Sequence, residues 1–398
     1  MFTNRGSRSS SVARDHIPGF RFSCVVVLGV LGLLLAACGG NGASNDTGGG
    51  SGGGDQATED LSDFRVALLA PGTKNNKSWA NAWWNGAQRA ADDLGLTVEF
   101  VGPLDNPDQY LQQGTAFASQ GFDLVIMANG AMHDPAVQVA TQFPDVQVCQ
   151  APYHPADESE LQDVPENVCF VDAEQQDSTF LAGMLAGLVT KTNRVASVNG
   201  FAFPALTRQP EAFSLGARCV NDGVEFAQRY INSWDDPALA KAAASSLIAG
   251  GADVILGATD QAVLGIYEAA READSQVWVI PSYFDDYESA PEVVLTSALH
   301  GLQEVSRRLI TSAARGEIEP RSFTDFNVEN TPSIDIAPLY ANEQKVGQAA
   351  LDDFQRYVEQ TRSGEIEIPD ETVGATPIGT EGAAEKIDPA SLNCEPVK

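Results

Sequence analysis

The chain has 398 residues and carries 24 Lys and Arg against 54 Asp and Glu, a formal charge of −30 with a pI near 4.3. Nucleic acid and anionic lipid surfaces repel so acidic a chain, which argues against both as partners. The length exceeds one comfortable hydrophobic core, so two lobes are expected.

The N-terminus has the pattern of an export signal. Four arginines precede an uncharged run from Cys24 to Ala37, which is shorter than the roughly 20 residues of a membrane span but suits the apolar region of a signal peptide. The run ends in LAAC, which resembles the lipobox of bacterial lipoproteins, where the cysteine, here Cys38, is diacylated. The alternative is a short buried segment with a chance cysteine. We predict a signal peptide over 1–37 and a chain held on the extracytoplasmic face of the cell membrane by its lipid anchor only.

A glycine-rich segment follows the predicted anchor. Residues 38–62 contain nine glycines and almost nothing apolar, so this segment is predicted to be a flexible linker. Removal of 1–37 would leave 20 Lys and Arg against 53 Asp and Glu, formally −33.

Four cysteines remain beyond the anchor: Cys149, Cys169, Cys219 and Cys394. An even number in an oxidising compartment indicates disulfides. A Cys149–Cys169 bridge would close a loop of about 20 residues, which stabilises by about 3 kcal/mol in the chain-entropy model, and we predict this pair. Whether Cys219 pairs with Cys394 is left open, and no cysteine spacing resembles a zinc site.

From residue 63 onward, β-rich runs alternate with amphipathic helices, which is typical of parallel α/β sheets. The strands predicted for lobe 1 are FRVALLAPG, TVEFVGP, DLVIMANG, VQVCQAP and NVCFVD. The rhythm then repeats in lobe 2, from the helix STFLAGMLAGLVT through the strands RVASVNGF, VEFAQRYI, DVILGAT and VWVIPSY.

The repeat sets the predicted domain organisation. Lobe 1 covers 63–172 and is completed by about 300–332. Lobe 2 covers 173–299 and is completed by about 333–363, with a helix near 343–361. A C-terminal tail occupies 364–398.

Catalytic motifs are missing from the sequence. It contains no GxSxG elbow, P-loop, HExxH pair or dinucleotide fingerprint. His133, His154 and His300 are isolated in sequence and are read as surface or hydrogen-bonded histidines. We therefore predict no enzyme, no catalytic residue, no metal site and no cofactor.

A ligand site is expected beyond the carboxyl ends of the strands, where helix N-termini present free amide groups. After the first strand, Ser78 is a good N-cap, which puts Trp79 at the first helical position and Trp83 on the buried stripe. Trp79 is predicted to stack on a flat ligand. The alternative is that Trp79 only fastens the helix to its loop.

Other strand ends carry residues of the same kind. The predicted ligand-binding set is Ser78, Trp79, Asn129, Phe201, Phe203, Thr259, Asp260, Tyr283 and Asp285. Thr259 and Asp260 have the alternative role of capping the next helix. An aromatic-lined cleft with amides and carboxylates suits a planar, hydrogen-bonding heterocycle, and a sugar ring almost as well.

The sequence also resembles a known family. DSTFLAGMLAGLVTKTNRVASVNGFAFPALTRQPEAFSLGARCVN, NSWDDPALAKAAASSLIAGGADVI, the ATDQ loop and APEVVLTS are similar to the basic membrane protein family of lipid-anchored substrate-binding proteins for ABC importers, most of all to its purine-binding branch. The likeness runs from about Arg65 to Leu299. It implies a type I periplasmic-binding-protein fold, in which two Rossmann-like lobes joined by three crossovers close over a ligand in the cleft, and an ABC permease as partner.

The resemblance carries over to only part of the site. The nucleoside-binding branch has Asp-Lys-Ser-Phe-Asn at the first helix, where Trp79 can replace the Phe but Ala80 replaces the Asn. Its Asp after the fourth strand of lobe 2 corresponds to Tyr283, with Asp285 two places on, and its ribose-binding Lys aligns with His300. These departures favour a free purine base or related planar heterocycle. A nucleoside or sugar receptor or a sensor ectodomain of the same fold, and a surface-anchored hydrolase, are the alternatives.

Overall fold

A computed structural model describes residues 61–75, 78–155, 158–202, 204–369 and 378–397. The predicted signal peptide, Cys38 and Phe203 lie outside the described residues, as does nearly all of the predicted linker. Within the described residues, no helix has the length and apolar character needed to cross a membrane.

The strands follow the predicted rhythm. They are β1 (Arg65–Leu69), β2 (Thr97–Val101), β3 (Leu124–Met127), β4 (Gln147–Gln150), β5 (Val168–Ala173), β6 (Arg194–Asn199), β7 (Glu225–Tyr230), β8 (Val254–Ala258), β9 (Trp278–Pro281), β10 (Ala298–His300), β11 (Ser322–Phe326) and β12 (Ile334–Ile336).

The helices lie between these strands and after them. They are α1 (Trp79–Leu94), α2 (Pro107–Ser119), α3 (His133–Gln142), α4 (Glu158–Gln162), α5 (Gln175–Val189), α6 (Pro204–Val220), α7 (Pro237–Ala249), α8 (Val263–Arg271), α9 (Leu302–Ala314), α10 (Glu343–Val346) and α11 (Gln348–Arg362). Helix α1 begins at Trp79 as predicted, and the helix expected near 343–361 is divided into α10 and α11.

Two parallel sheets form the frame. The first has the strand order β11-β5-β4-β3-β1-β2 and the second β7-β6-β8-β9, so the predicted parallel α/β class is confirmed. Helices cover both faces of each sheet, which is why the central strands read as nearly continuous apolar runs. In β1, Val66 and Leu68 join one core while Ala67 and Leu69 join another, as the two-residue repeat of a strand requires.

The chain passes between the two sheets three times. It leaves the first sheet after β5 and enters α5. It returns after β10 into α9, which packs on α1 through a 2.8 Å hydrogen bond from Ser306 Oγ to Trp83 O. Strand β11 then joins the first sheet beside β5, and β12 pairs antiparallel with β10. The third passage leaves the first sheet after β11 and leads to β12. It lies beside the first passage, because β5 and β11 are neighbouring strands.

Helices α5 and α6 pack at unusually close range. A Cβ added at Gly183 would lie 2.1 Å from Phe213 O, and one at Gly216 would lie 2.1 Å from Phe180 O. Glycine at these two positions lets the two backbones approach each other. Helix α5 is therefore buried from Gln175 to Leu188, whatever the polarity of the side chain.

One disulfide joins two neighbouring strands, and the other joins a helix to the C-terminal tail. Cys149 is bonded to Cys169, its register partner on the neighbouring strand, with the Cα atoms 4.5 Å apart. Cys219 of α6 is bonded to Cys394, which ties the C-terminal tail to that helix. Glu211 of α6 also accepts hydrogen bonds from the backbone N–H groups of Gly382 and Ala384, each at 2.9 Å.

We predict that Gly183→Ala destabilises the protein by about 3 kcal/mol, because the new methyl group meets a backbone oxygen that can move only if the helices separate. Thermal unfolding checks this. Gly223→Ala is the control, since its Cβ would have only ordinary contacts from 3.4 Å outward. Equal melting temperatures for the two variants would show that the α5–α6 contact is not tight.

Candidate functional site

The candidate site is a cavity of about 520 Å³ between the two sheets, within the size range of small-molecule sites. Most of its walls are loops that follow strand ends, where ligands of open α/β sheets bind. Its lining residues are Pro71, Gly72, Thr73, Ser78, Trp79, Ala80, Pro103, Asp105, Ala128, Asn129, Gly130 and Pro152 on the side of the first sheet, and Gln175, Ala205, Leu206, Trp234, Asp235, Asp260 and Tyr283 opposite.

The three tryptophans of α1 have three different environments. Trp83 is fully buried, as the helical pattern predicts. Trp84 packs edge-on against Phe100, with ring centroids 5.7 Å apart. Trp79 is half-buried and lines the cavity, and its Nε1 donates to Ala128 O at 2.8 Å. The polar edge of this indole is thus satisfied by the protein, and the indole is fixed at the cavity wall.

Ser78 holds the N-cap position but does not cap the helix. Its backbone is extended, with φ −140° and ψ −150°, yet its side chain makes no capping hydrogen bond. Its hydroxyl lies near the carboxylate of Asp260, on the opposite side of the cavity, and lowers the pKa of that group. The expected cap is replaced by a contact between the two halves of the site.

Asp260 has an unusual electrostatic environment. The pKa of its carboxyl is raised to about 6, mainly by burial; the nearby Ser78 hydroxyl lowers this pKa and the charge of Asp235 raises it. The carboxylate is therefore mostly ionised at pH 7 and becomes protonated in mild acid. As a carboxylate it only accepts hydrogen bonds.

Tyr283 is positioned by an uncommon backbone conformation. Its φ of 80° lies in the left-handed region, which bulky residues rarely adopt, and its N–H donates to Ala298 O at 2.9 Å. Its ring contacts His300 edge-on, with centroids 5.0 Å apart. Burial, with a smaller effect from Asp260, raises the pKa of this phenol, so Tyr283 stays neutral.

Asn129 lines the cavity with an amide that is already in use. Its Oδ1 accepts from Ala131 N at 3.0 Å and its Nδ2 donates to the Tyr110 hydroxyl at 3.4 Å. Gln150 donates to the carbonyls of both Asn129 and Gly130, which fixes this loop.

Three predicted residues do not line the cavity. Thr259 is buried behind the wall, and its hydroxyl has no hydrogen-bond partner among the described residues. Asp285 accepts from the Tyr340 hydroxyl and from Tyr287 N, which keeps it outside. Phe201 packs against Trp234 at 5.0 Å and so contributes only indirectly. Phe203 is not among the described residues.

Trp234 and Asp235 line the cavity and were missed in the sequence. Trp234 packs directly over Gly200, where an added Cβ would lie 2.1 Å from the ring. Both residues follow β7 and precede α7, whose N-cap is Asp236. This strand-end signal is the same one that identified the other candidate segments, so it was present in NSWDDP.

The lining is acidic. Asp105, Asp235 and Asp260 contribute carboxylates, and no lysine, arginine or histidine lines the cavity in the part of the chain that the structure describes. Such a lining favours neutral or cationic ligands with hydrogen-bond donors and disfavours anionic ones.

Comparison with known proteins agrees with this architecture. The family model for Bmp, described as ABC transporter substrate-binding protein PnrA-like, matches residues 64–372. A CD4+ T-cell-stimulating antigen of Listeria monocytogenes is 23% identical over 359 residues, covering 85% of this chain and 95% of the relative. A putative ABC transporter glucose-binding protein of Haloferax volcanii is 30% identical over 207 residues, covering 50% of this chain and 48% of the relative.

Solved structures give the fold. An ABC transporter solute-binding protein from Conexibacter woesei superposes with a TM-score of 0.62 at 24% identity, covering 77% of this chain and 98% of that one. The type I periplasmic-binding-protein fold is thereby confirmed. The matching family consists of substrate-binding proteins rather than enzymes, as predicted. The chain belongs to the Bmp family of PnrA-like ABC transporter substrate-binding proteins.

Proposed function

We propose that this substrate-binding protein is lipid-anchored on the extracytoplasmic face of the membrane and captures a purine base or a related planar heterocycle for an ABC permease. The anchor rests on the arginine-rich start, the apolar run and Cys38 in LAAC. The ligand class rests on the cavity, and above all on Trp79.

Trp79 carries the ligand assignment. Its Nε1 is bonded to Ala128 O, so what remains for a ligand is the flat apolar surface of the ring. Flat ligands gain about 0.5–1.5 kcal/mol from stacking beyond the area that they bury. Trp234 lines the opposite wall and offers a second aromatic surface.

The carboxylates narrow the ligand class further. When ionised, the carboxylates of Asp105, Asp235 and Asp260 can accept hydrogen bonds but cannot donate them. The matching groups on the ligand are therefore N–H or O–H donors. A purine base presents several N–H donors in the plane of a stackable ring. A phosphorylated ligand would place its negative charge against these carboxylates and is disfavoured.

Lobe closure follows from contacts made by both halves. Ser78 belongs to lobe 1 (63–172, completed by about 300–332) and Asp260 to lobe 2 (173–299, completed by about 333–363), and the two residues line the cavity from opposite sides. A ligand that touches Trp79 and Asp260 together gains both contacts only when the lobes are closed. That difference is what allows the ligand to favour the closed state.

A sugar or nucleoside is the second candidate ligand. Aspartate carboxylates accept hydrogen bonds from hydroxyl groups as readily as from N–H groups, and the Haloferax volcanii relative is named as a putative glucose-binding protein. The lining supports this reading through its three carboxylates.

Thermal unfolding of the purified protein with purine bases, nucleosides and sugars separates the candidates. A ligand at 100 times its Kd adds about 2.7 kcal/mol to the free energy of unfolding, so a rise of several degrees is expected with a purine base. A rise with sugars alone, or with no compound of the panel, would overturn the purine assignment.

For the ligand that this panel identifies, Trp79→Ala is expected to weaken binding at least tenfold, because the stacking surface and its buried area are lost together. Trp79→Phe should recover most of the loss. The measurement is calorimetric titration, with Trp84→Ala as the control, since Trp84 packs on Phe100 and does not line the cavity. Equal affinity of Trp79→Ala and the native protein would remove stacking from the proposal.

Asp260→Asn is expected to abolish most ligand binding and yet to raise the melting temperature of the ligand-free protein at pH 7.5. The folded pKa of about 6 exceeds the unfolded value, so the folded state binds the proton more tightly. The contribution of Asp260 to the free energy of unfolding is fully present below about pH 4 and is lost as the pH rises through about 6. Asparagine does not ionise, so the free energy of unfolding of the variant does not fall in this way.

Melting curves from pH 4 to 8 check the sign. The gap between variant and native protein should open between about pH 4 and 6 and stay open above. Asp285→Asn is the control for affinity, since Asp285 lies outside the cavity beside Tyr340. A variant that is no more stable than the native protein at pH 7.5 would show that Asp260 is not penalised by burial.

A further inference from the structure

A second cavity, of about 260 Å³, lies where the chain passes between the sheets. It is reached from the end of β5, the start of α5 and the end of β11, so it touches the first and third passages. We call it the hinge cavity. It is lined by His154, Glu174, Gln176, Asp177, Phe323, Asp325, Asn327, Val328, Glu329, Thr361, Ile366 and Ile368. None of these residues lines the ligand cavity described above.

One end of the hinge cavity brings together donor atoms that suit a metal ion. A ring nitrogen of His154 and carboxylate oxygens of Asp172 and Glu174 all lie within 4.8 Å of one another. His154 Nδ1 is 3.4 Å from Glu174 Oε1 and 3.8 Å from Asp172 Oδ2. Donors at about 2.1 Å around a tetrahedral Zn²⁺ are separated by about 3.4 Å, so the His154–Glu174 pair already has the required spacing.

Gln176 provides an independent sign of a missing partner. The side chain is 1% exposed, it lines the hinge cavity, and its Oε1 has no hydrogen-bond partner among the described residues. Its Nε2 donates to Glu174 Oε2, so the amide cannot be turned round without placing its oxygen against a carboxylate. A buried amide oxygen left unpaired destabilises the folded protein, and a bound cation would satisfy it.

The surrounding charge is unbalanced in favour of a cation. Among the described residues that line the hinge cavity, Glu174, Asp177, Asp325 and Glu329 are acidic and none is Lys or Arg. Arg208, behind the wall, donates two hydrogen bonds of 2.6 and 2.7 Å to Asp172 and a longer one of 3.4 Å to Glu174, so one cation serves these two carboxylates.

We propose that the hinge cavity binds one divalent transition-metal ion, for which Zn²⁺ is the probe that fits best. His154, Glu174 and Gln176 Oε1 are the ligands, with Asp172 beside them and oriented by Arg208. One imidazole among oxygen donors favours a transition metal over Ca²⁺ or Mg²⁺, which prefer oxygen donors alone. The ion joins the loop after β4 to the first passage between the sheets and so stiffens the hinge.

The test is Zn²⁺ binding to the purified protein after chelator treatment, measured by equilibrium dialysis with metal analysis. One tightly bound equivalent is expected. His154→Phe keeps a ring beside Phe323, and Gln176→Met keeps the shape of the side chain, but each removes a ligand atom. Each variant should bind Zn²⁺ at least tenfold more weakly. Asp134→Asn is the matched control, because it alters the exposed His133–Asp134 pair and should leave the affinity unchanged.

Co²⁺ offers a second readout, since Co²⁺ bound through an imidazole gives visible absorption that should be lost in both variants. Melting curves show whether each variant folds, and the two substitutions are independent, so one folded variant suffices. The proposal would be overturned if the native protein bound Zn²⁺ no more tightly than a folded variant. It would also be overturned if Asp134→Asn lost as much Zn²⁺ affinity as the two ligand variants. Neither result depends on which ligand occupies the cleft.

Discussion

The arrangement of the two sheets depends on one buried ion pair. Arg208 of α6 is fully buried and forms a bidentate ion pair with Asp172 of β5. This pair links the second half of the molecule to the first. Removing one partner of such a pair leaves an unpaired charge in the interior and costs about 3–5 kcal/mol. The same guanidinium donates to Ala205 O, which lines the cleft. The pair therefore fixes the first turn of α6 at the wall of the cleft.

Two buried aspartates illustrate how the environment divides their roles. Asp172 faces the Arg208 guanidinium, which together with His154 holds its pKa low, so it is a permanent carboxylate with a structural role. Burial raises the pKa of Asp260, and the like charge of Asp235 adds to the rise. The protein tolerates this cost in the cleft, where a ligand with hydrogen-bond donors would remove it. Stability and ligand affinity are then opposed at Asp260.

The sequence predicted the elements better than the contacts between them. Alternation of apolar runs identified the strands of both sheets and the start of α1 at Trp79, because strand and helix periods are local properties of the chain. The position of Ser78 near Asp260 could not be predicted, since a capping serine and a serine that lies near Asp260 look the same until the lobes are placed together. Trp234 was missed although its position after β7 carried the usual signal. His154 looked isolated because its neighbours lie 18 and 20 residues further along the chain.

The start of α5 contributes to the walls of both cavities. Gln175 lines the ligand cleft, while the residues on either side of it, Glu174 and Gln176, line the hinge cavity. Arg208 lies between the cavities, since it contacts Glu174 on one side and the carbonyl of Ala205 on the other. Any occupant of the hinge cavity that draws Glu174 away from Arg208 therefore acts on the cleft wall through a single side chain. If such an occupant changes the affinity of the cleft for its ligand by some factor, then the ligand changes the affinity of the hinge cavity for that occupant by the same factor.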